Sequence, residues 1–244
     1  MRAITSMATR HVLTELAAAV AAEGLPALQL ESVGGVTAAD RVRAGEPWDL
    51  VFLAVDALER LGADGHVIAD TVTPMLVSSV AVAVAVPSAT TEPAADPATA
   101  AYPDAGAVRT AVAAAGRIGY SSGPSGTALL RHFEDWGLRA ALEGRLVQAP
   151  PGVPVARMLA DGEVDMGFQQ LSELVAQPGI RLLGTLPPDC AITTVFGGAV
   201  AATAAEPARA RDVLRYLASD AAAPAALRHS FARPGQDSEG VRGS

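Results

Sequence analysis

Residues 117–130, RIGYSSGPSGTALL, hold the densest group of side chains and amides that could do chemistry. A short strand leads into Ser121-Ser122-Gly123-Pro124-Ser125-Gly126, and a helix is expected to open at Thr127. Glycine lets backbone N–H groups approach a ligand closely, and the helix aims the positive end of its dipole at the same spot. Three hydroxyls and the unpaired amides of a helix start together make an anion site. The competing reading is a plain strand–turn–helix connection with Ser125 as the helix cap. Gly119-Tyr120-Ser121-Ser122-Gly123 also matches the G-x-S-x-G elbow of hydrolases, with His229 later in the chain. That elbow needs the helix to start directly after the serine, and here Pro124-Ser125-Gly126 intervenes.

Two titratable residues are candidates for a proton-transferring base. Glu31 is expected to end the second strand beside Gly34-Gly35, and strand C-terminal edges face ligands in open α/β sheets. It would serve equally well as the partner of an arginine. His11 follows Arg10 in the first helix and faces either a ligand or solvent. Arg10 itself sits near the start of that helix, either as an anion clamp or as an ordinary surface charge. Gln169 lies in an apolar strand, where its amide needs a partner. His11, His66, His132 and His229 show no metal-ligand spacing, so no metal or other cofactor is expected. Cys190 is the only cysteine, which excludes an intrachain disulfide.

Composition narrows the class. All 18 basic residues are arginine; without lysine there is no Schiff base and no P-loop lysine. The net charge of −8 argues against a nucleic-acid partner. Half of the residues are hydrophobic, in the manner of a soluble α/β protein. The apolar run at 77–86 is too short to span a bilayer. Nothing at the N-terminus resembles a signal peptide, so the chain as written is expected in the cytoplasm. Had a leader been removed, the expectation would be periplasmic or extracellular.

The elements that must position these residues follow from periodicity. Strands are expected at 2–6, 27–32 and 49–54, and helices at 7–22, 37–44 and 57–61. This β-α-β-α-β-α succession argues for a parallel sheet covered by helices. Long apolar runs at 73–86 and 192–202 break the rhythm and bracket a second α/β unit. Its strands are expected at 117–120, 146–149, 164–169 and 180–186, and its helices at 107–115, 127–137, 155–160 and 171–175. Helices at 207–218 and 221–228 close the chain, with a surface loop at 87–106 and a frayed tail at 234–244. The expected fold is α/β, with two lobes of helix-covered, mostly parallel sheet joined by two crossing strands. Lobe I takes 1–80 plus 196–244 and lobe II takes 81–195, with a ligand cleft expected between them.

With those pieces placed, the chain resembles the type II periplasmic-binding-protein fold, in its molybdate-binding branch. The resemblance rests on Thr5-Ser6-Met7-Ala8, on residues 43–50 (RAGEPWDL), on residues 119–126 (GYSSGPSG), on residues 162–171 (GEVDMGFQQL) and on residues 213–217 (VLRYL). It implies an anion site built from Thr5, Ser6, Met7, Ala8 and Arg10, from Gly35, Val36 and Thr37, from Ser121, Ser122, Ser125, Gly126 and Thr127, and from Gln169. The second loop, Gly34-Gly35-Val36-Thr37, lacks the serine-rich run of molybdate binders, and Gln169-Gln170 stands where they carry a tyrosine. Glutamine and arginine suit planar carboxylates better than a tetrahedral oxyanion. The chain is thus similar to the carboxylate-handling side branch that includes aconitate isomerase. Two functions follow as expectations. One is cofactor-independent isomerisation of a small di- or tricarboxylate, with Glu31 or His11 as base. The other is a solute receptor for an oxyanion or carboxylate, with an ABC permease as its partner.

Overall fold

The computed structural model describes residues 1–86, 97, 99–150 and 152–235. The elements, in order, are β1 (Arg2–Ser6), α1 (Arg10–Ala22), β2 (Gln29–Val33), α2 (Gly35–Arg43), β3 (Leu50–Ala54), α3 (Val55–Ala63), β4 (Thr73–Ala85), α4 (Ala105–Ala114), β5 (Ile118–Tyr120), α5 (Pro124–Asp135), β6 (Leu146–Gln148), α6 (Val155–Ala160), β7 (Met166–Gln170), α7 (Leu171–Leu174), β8 (Ile180–Thr185), β9 (Thr193–Val200), α8 (Pro207–Ala218) and α9 (Ala223–Arg228). They divide into two units: Met1–Ser78 with Val195–Ser244, and Ser79–Thr194.

In unit 1, β1 lies between β2 and β3 and parallel to both, while β3 pairs antiparallel with β9. All five residues of β3 are buried, as an apolar run without alternation requires when helices cover both faces. One face packs Val12, Leu13, Leu16 and Val20 of α1 with Val213, Leu214 and Leu217 of α8. The other packs Ala38, Ala39 and Val42 of α2 with Leu58 and Leu61 of α3.

Unit 2 repeats this plan. β5 lies between β6 and β7, parallel to both, and β7 pairs antiparallel with β4, which also carries β8. Helices α4 and α5 cover one face through Val108, Val112, Leu129 and Phe133. Helices α6 and α7 cover the other through Val155, Leu159, Leu171 and Leu174. The register makes the units comparable residue by residue. Thr5 is level with Phe52 in unit 1, and Tyr120 with Phe168 in unit 2. Ser6 and Ser121, each one step further, are therefore counterparts, and so are Leu53-Ala54 and Gln169-Gln170. Helices α2 and α6 are each followed by a left-handed glycine, Gly45 (φ 77°) and Gly162 (φ 71°). Asp49 then accepts the backbone N–H of Arg2 at 2.9 Å, and Asp165 that of Arg117 at 2.7 Å. Each aspartate pins the start of its third strand to the first.

Several element ends differ from the sequence expectation. Helix α5 starts at Pro124, three residues before Thr127, because proline at the first position has no N–H to lose and a φ suited to the helix. Helix α2 starts at Gly35 instead of Thr37. A 3-10 turn, Met7–Thr9, precedes α1. Strand β2 continues through Val33, which places Glu31 at its centre and not at its end. Most of the expected loop at 87–106 and tail at 234–244 lie outside the described residues.

Candidate functional site

Parallel strands send their C-terminal ends, and the N-termini of the following helices, to one edge of each sheet. In unit 1 that edge begins with a knot of hydroxyls. Thr9 Oγ1 lies 2.7 Å from Thr5 Oγ1 and 3.2 Å from Ser6 Oγ, and all three side chains are buried. The Ser6 carbonyl accepts Ser32 Oγ at 3.4 Å. A Cβ at Gly35 would sit 3.8 Å from Ser6 Cβ, so the start of α2 lies against the serine. No side chain caps α2, and Gly35 and Val36 are exposed there, with Thr37 half-buried. Met7 and Ala8 form the turn out of β1, and Arg10 is exposed at the head of α1. The edge thus presents helix-start amides beside a preorganised hydroxyl network, a composition suited to an anion.

In unit 2 the counterpart edge opens with Ser121 Oγ 3.1 Å from Ser125 Oγ. Ser122 and Thr127 are exposed, Ser125 and Gly126 are buried, and no side chain caps α5. A Cβ at Gly126 would lie 1.9 Å from the Ser121 carbonyl oxygen. The glycine lets the helix seat on the loop. A bulky residue there would displace backbone, so its loss cannot separate binding from folding.

The two adjacent glutamines point to opposite faces of β7, as strand geometry dictates. Gln169 faces α6: its Oε1 accepts the N–H of Val155 at 2.9 Å, and its Nε2 donates to Glu173 Oε2 at 2.7 Å. Both ends of its amide serve the protein itself. Gln170 lies on the face of Phe168, which meets Phe133 of α5 edge-on at 6.0 Å. Its Nε2 donates to Thr194 Oγ1 at 2.7 Å, and its Oε1 is buried with no partner among the described residues. Both glutamines are 4 % exposed. A threonine hydroxyl accepts from an NH2 or donates to a C=O, so the Gln170 amide is equally well satisfied turned over, with its NH2 free.

The expected bases are placed otherwise. Glu31, expected at the ligand edge, is bound by Arg41, which also holds Glu46 through Nε at 2.8 Å and Nη2 at 2.7 Å. Arg41 stands 5.2 Å from the Trp48 ring, and Arg2 stands 4.3 Å from it. Trp48 and Arg2 lie at the strands' N-terminal ends, so this cluster is at the opposite edge. The hydrogen bond from Arg41 holds the Glu31 carboxyl below its ordinary range. His11 Nε2 accepts from Arg10 Nη2 at 3.0 Å, and its ring stacks on His229 at 6.5 Å. Partial burial, then the nearby Arg10 and His229 charges, lower its pKa. His229 Nε2 in turn lies 2.9 Å from Glu15 Oε2. Sequence reasoning missed Thr9 and Gln170. The spacing of Thr5, Ser6 and Thr9 on a strand–turn–helix was a usable signal for the first; nothing in the sequence separates Gln170 from Gln169.

Residues 1–232 match the family described as bacterial extracellular solute-binding protein. The chain is 33% identical over 187 residues to an aconitate isomerase from a Pseudomonas species, covering 76% of this chain and 68% of that protein. Its fold is that of the periplasmic molybdate-binding protein of Azotobacter vinelandii, at a TM-score of 0.75 and 18% identity over 96% of this chain and 99% of the other. It is also similar to the sulfate-binding protein SubI of Mycobacterium tuberculosis H37Rv, at a TM-score of 0.70 and 16% identity over 97% and 88%. No helix among the described residues is long and apolar enough to cross a membrane. This chain, with its type II periplasmic-binding-protein fold, belongs to the bacterial extracellular solute-binding protein family.

Proposed function

We propose that the protein binds a small di- or tricarboxylate at the strand-end edge of unit 2 and isomerises it. The observation that carries the reading is Gln170, a buried amide with one group unspent, on the face of β7 that α5 covers. Unpaired buried amide groups cost stability, and a ligand that pairs one recovers that cost on binding. A carboxylate accepts from the amide NH2, from the serine hydroxyls and from the α5 amides alike. The aconitate isomerase relative supports isomerisation as the reaction type. Shifting the double bond of such an acid takes a proton from the carbon beside one carboxylate and returns one at the far end of the double bond. Hydroxyls and amides aimed at the ligand's carboxylates stabilise the charge that spreads through them. The alternative is a receptor that carries an oxyanion or carboxylate to a membrane transporter without chemistry, as the family description suggests.

Calorimetric titration separates the ligand classes. A tricarboxylate should bind at least tenfold more tightly than molybdate, a difference of about 1.4 kcal/mol or more. Tight molybdate binding with no carboxylate binding would reverse the assignment.

A further inference from the structure

The Gln170 amide must be held in one direction before it can serve a ligand, and the hydroxyl that holds it belongs to Thr194. Thr194 Oγ1 lies 2.7 Å from Gln170 Nε2. That hydroxyl stands on fixed backbone. Thr194 is in β9, and the C=O of Ile192, two residues before it, accepts the N–H of Val80 at 2.8 Å. Val80 is the residue of β4 level with Gln170. Val80, Gln170 and Thr194 all lie in unit 2. The rest of this face is apolar: Val80 and Phe168 are buried in the cluster that α4 and α5 cover. An amide among such side chains depends on the few polar partners it has. We propose that Thr194 is a positioning residue for ligand binding: its hydroxyl donates to the Gln170 C=O and so aims the Gln170 NH2 at a carboxylate of the ligand. This rests on the carboxylate reading of the same edge.

A threonine hydroxyl has one hydrogen and two lone pairs, so it can pair with either end of an amide. A carboxylate can only accept. It takes the NH2 and leaves the C=O to the Thr194 hydrogen. The bonds then run one way, from hydroxyl to C=O and from NH2 to carboxylate, and bonds in such a chain strengthen one another. The last of them is charge-assisted, which makes it the strongest. Unit 1 is the internal control. Its counterpart of Gln170 is Ala54, which is buried and level with Phe196 of β9. That strand end forms without a polar pair, so the fold does not demand the one between Gln170 and Thr194. Valine has the shape of threonine and no hydroxyl. Thr194→Val therefore leaves the amide unheld, and the ligand must itself order a side chain that the wild type holds in place.

The test is a double-mutant cycle read by calorimetric titration with trans-aconitate. It compares wild type, Thr194→Val, Gln170→Leu and the double variant, with Thr194→Ser as the conservative control and a thermal melt to show that each sample is folded. Thr194→Val is expected to weaken binding about fivefold. The same change should cost nothing further once Gln170 is leucine, because a residue that acts through the amide then has nothing to position. Thr194→Ser keeps the hydroxyl and should bind within about twofold of wild type. Equal losses in both backgrounds, or wild-type affinity in Thr194→Val, would overturn the positioning role and leave the carboxylate reading standing. A wild-type protein that binds neither trans-aconitate nor any other di- or tricarboxylate would overturn the carboxylate reading, and the positioning role with it.

Discussion

Units 1 and 2 build the same parallel strand triplet from opposite side-chain sizes. In unit 1 the strands carry Ile4 and Val51 toward helices that offer Ala38 and Ala39. In unit 2 the counterpart strand positions are Gly119 and Gly167, and the helix supplies the bulk. A Cβ on Gly167 would stand 2.5 Å from Val155 Cγ1 and 2.8 Å from Leu159 Cδ1. Large-on-small packing fills the same layer either way. The unit 2 version brings the first turn of α6 down onto the sheet, so that a strand side chain, Gln169, reaches the Val155 N–H. The close approach is what allows polar residues at the end of β7, where unit 1 has Leu53 and Ala54. What differs between the units at equal topology is the part the fold leaves open to function.

Exchanging the packing solutions should give the largest effect. Gly167→Val copies the unit 1 residue into unit 2, and it is expected to destabilise the protein by about 2 to 3 kcal/mol through overpacking. Denaturant unfolding measures this; a loss under 0.5 kcal/mol would show that α6 is free to move away and that the close packing is not the cause. A smaller contrast concerns acid. Glu15, Glu31 and Glu46, all in unit 1, have pKa values lowered chiefly by hydrogen bonds from Arg228 or Arg41. A lowered folded pKa means that each contribution is full above the ordinary value of 4.5 and fades as pH falls through the folded value. These pairs are exposed or half-exposed, so the effect is modest. Unit 1 amides should lose hydrogen-exchange protection before those of unit 2 between about pH 5 and pH 3. Uniform loss in both units would remove these ion pairs as the cause.

Much of this was legible in the sequence because it is written locally. Periodicity gave both strand–helix series, and the runs at 73–86 and 192–202 became β4 and β9. The turn at Ser121–Gly123 announced itself by composition, although the expected loop to Gly126 is shorter because α5 already starts at Pro124. The strand ends were not legible, and the site depends on them. A two-residue extension of β2 beyond Glu31 moves that carboxylate from the ligand edge into the strand, where Arg41 collects it. Neighbouring residues on a strand face opposite ways, so one step separates Gln169, spent at both ends on Val155 and Glu173, from Gln170, which bonds Thr194 and keeps one group unpaired. The Arg41–Glu31 contact joins α2 to β2, and no spacing rule predicts which cation a carboxylate will find.

On the proposed function, the end of β7 is polar for the ligand's sake and not for the fold's. Gln170→Leu separates the two roles when one sample is read by calorimetric titration with a tricarboxylate and by thermal melting. Replacing an amide that has one group unpaired and one hydrogen bond, to Thr194, should change the melting temperature by no more than a degree or two, while affinity falls at least tenfold. A variant that melts several degrees lower and binds as tightly as wild type would contradict the account, because the glutamine would then belong to the structure alone.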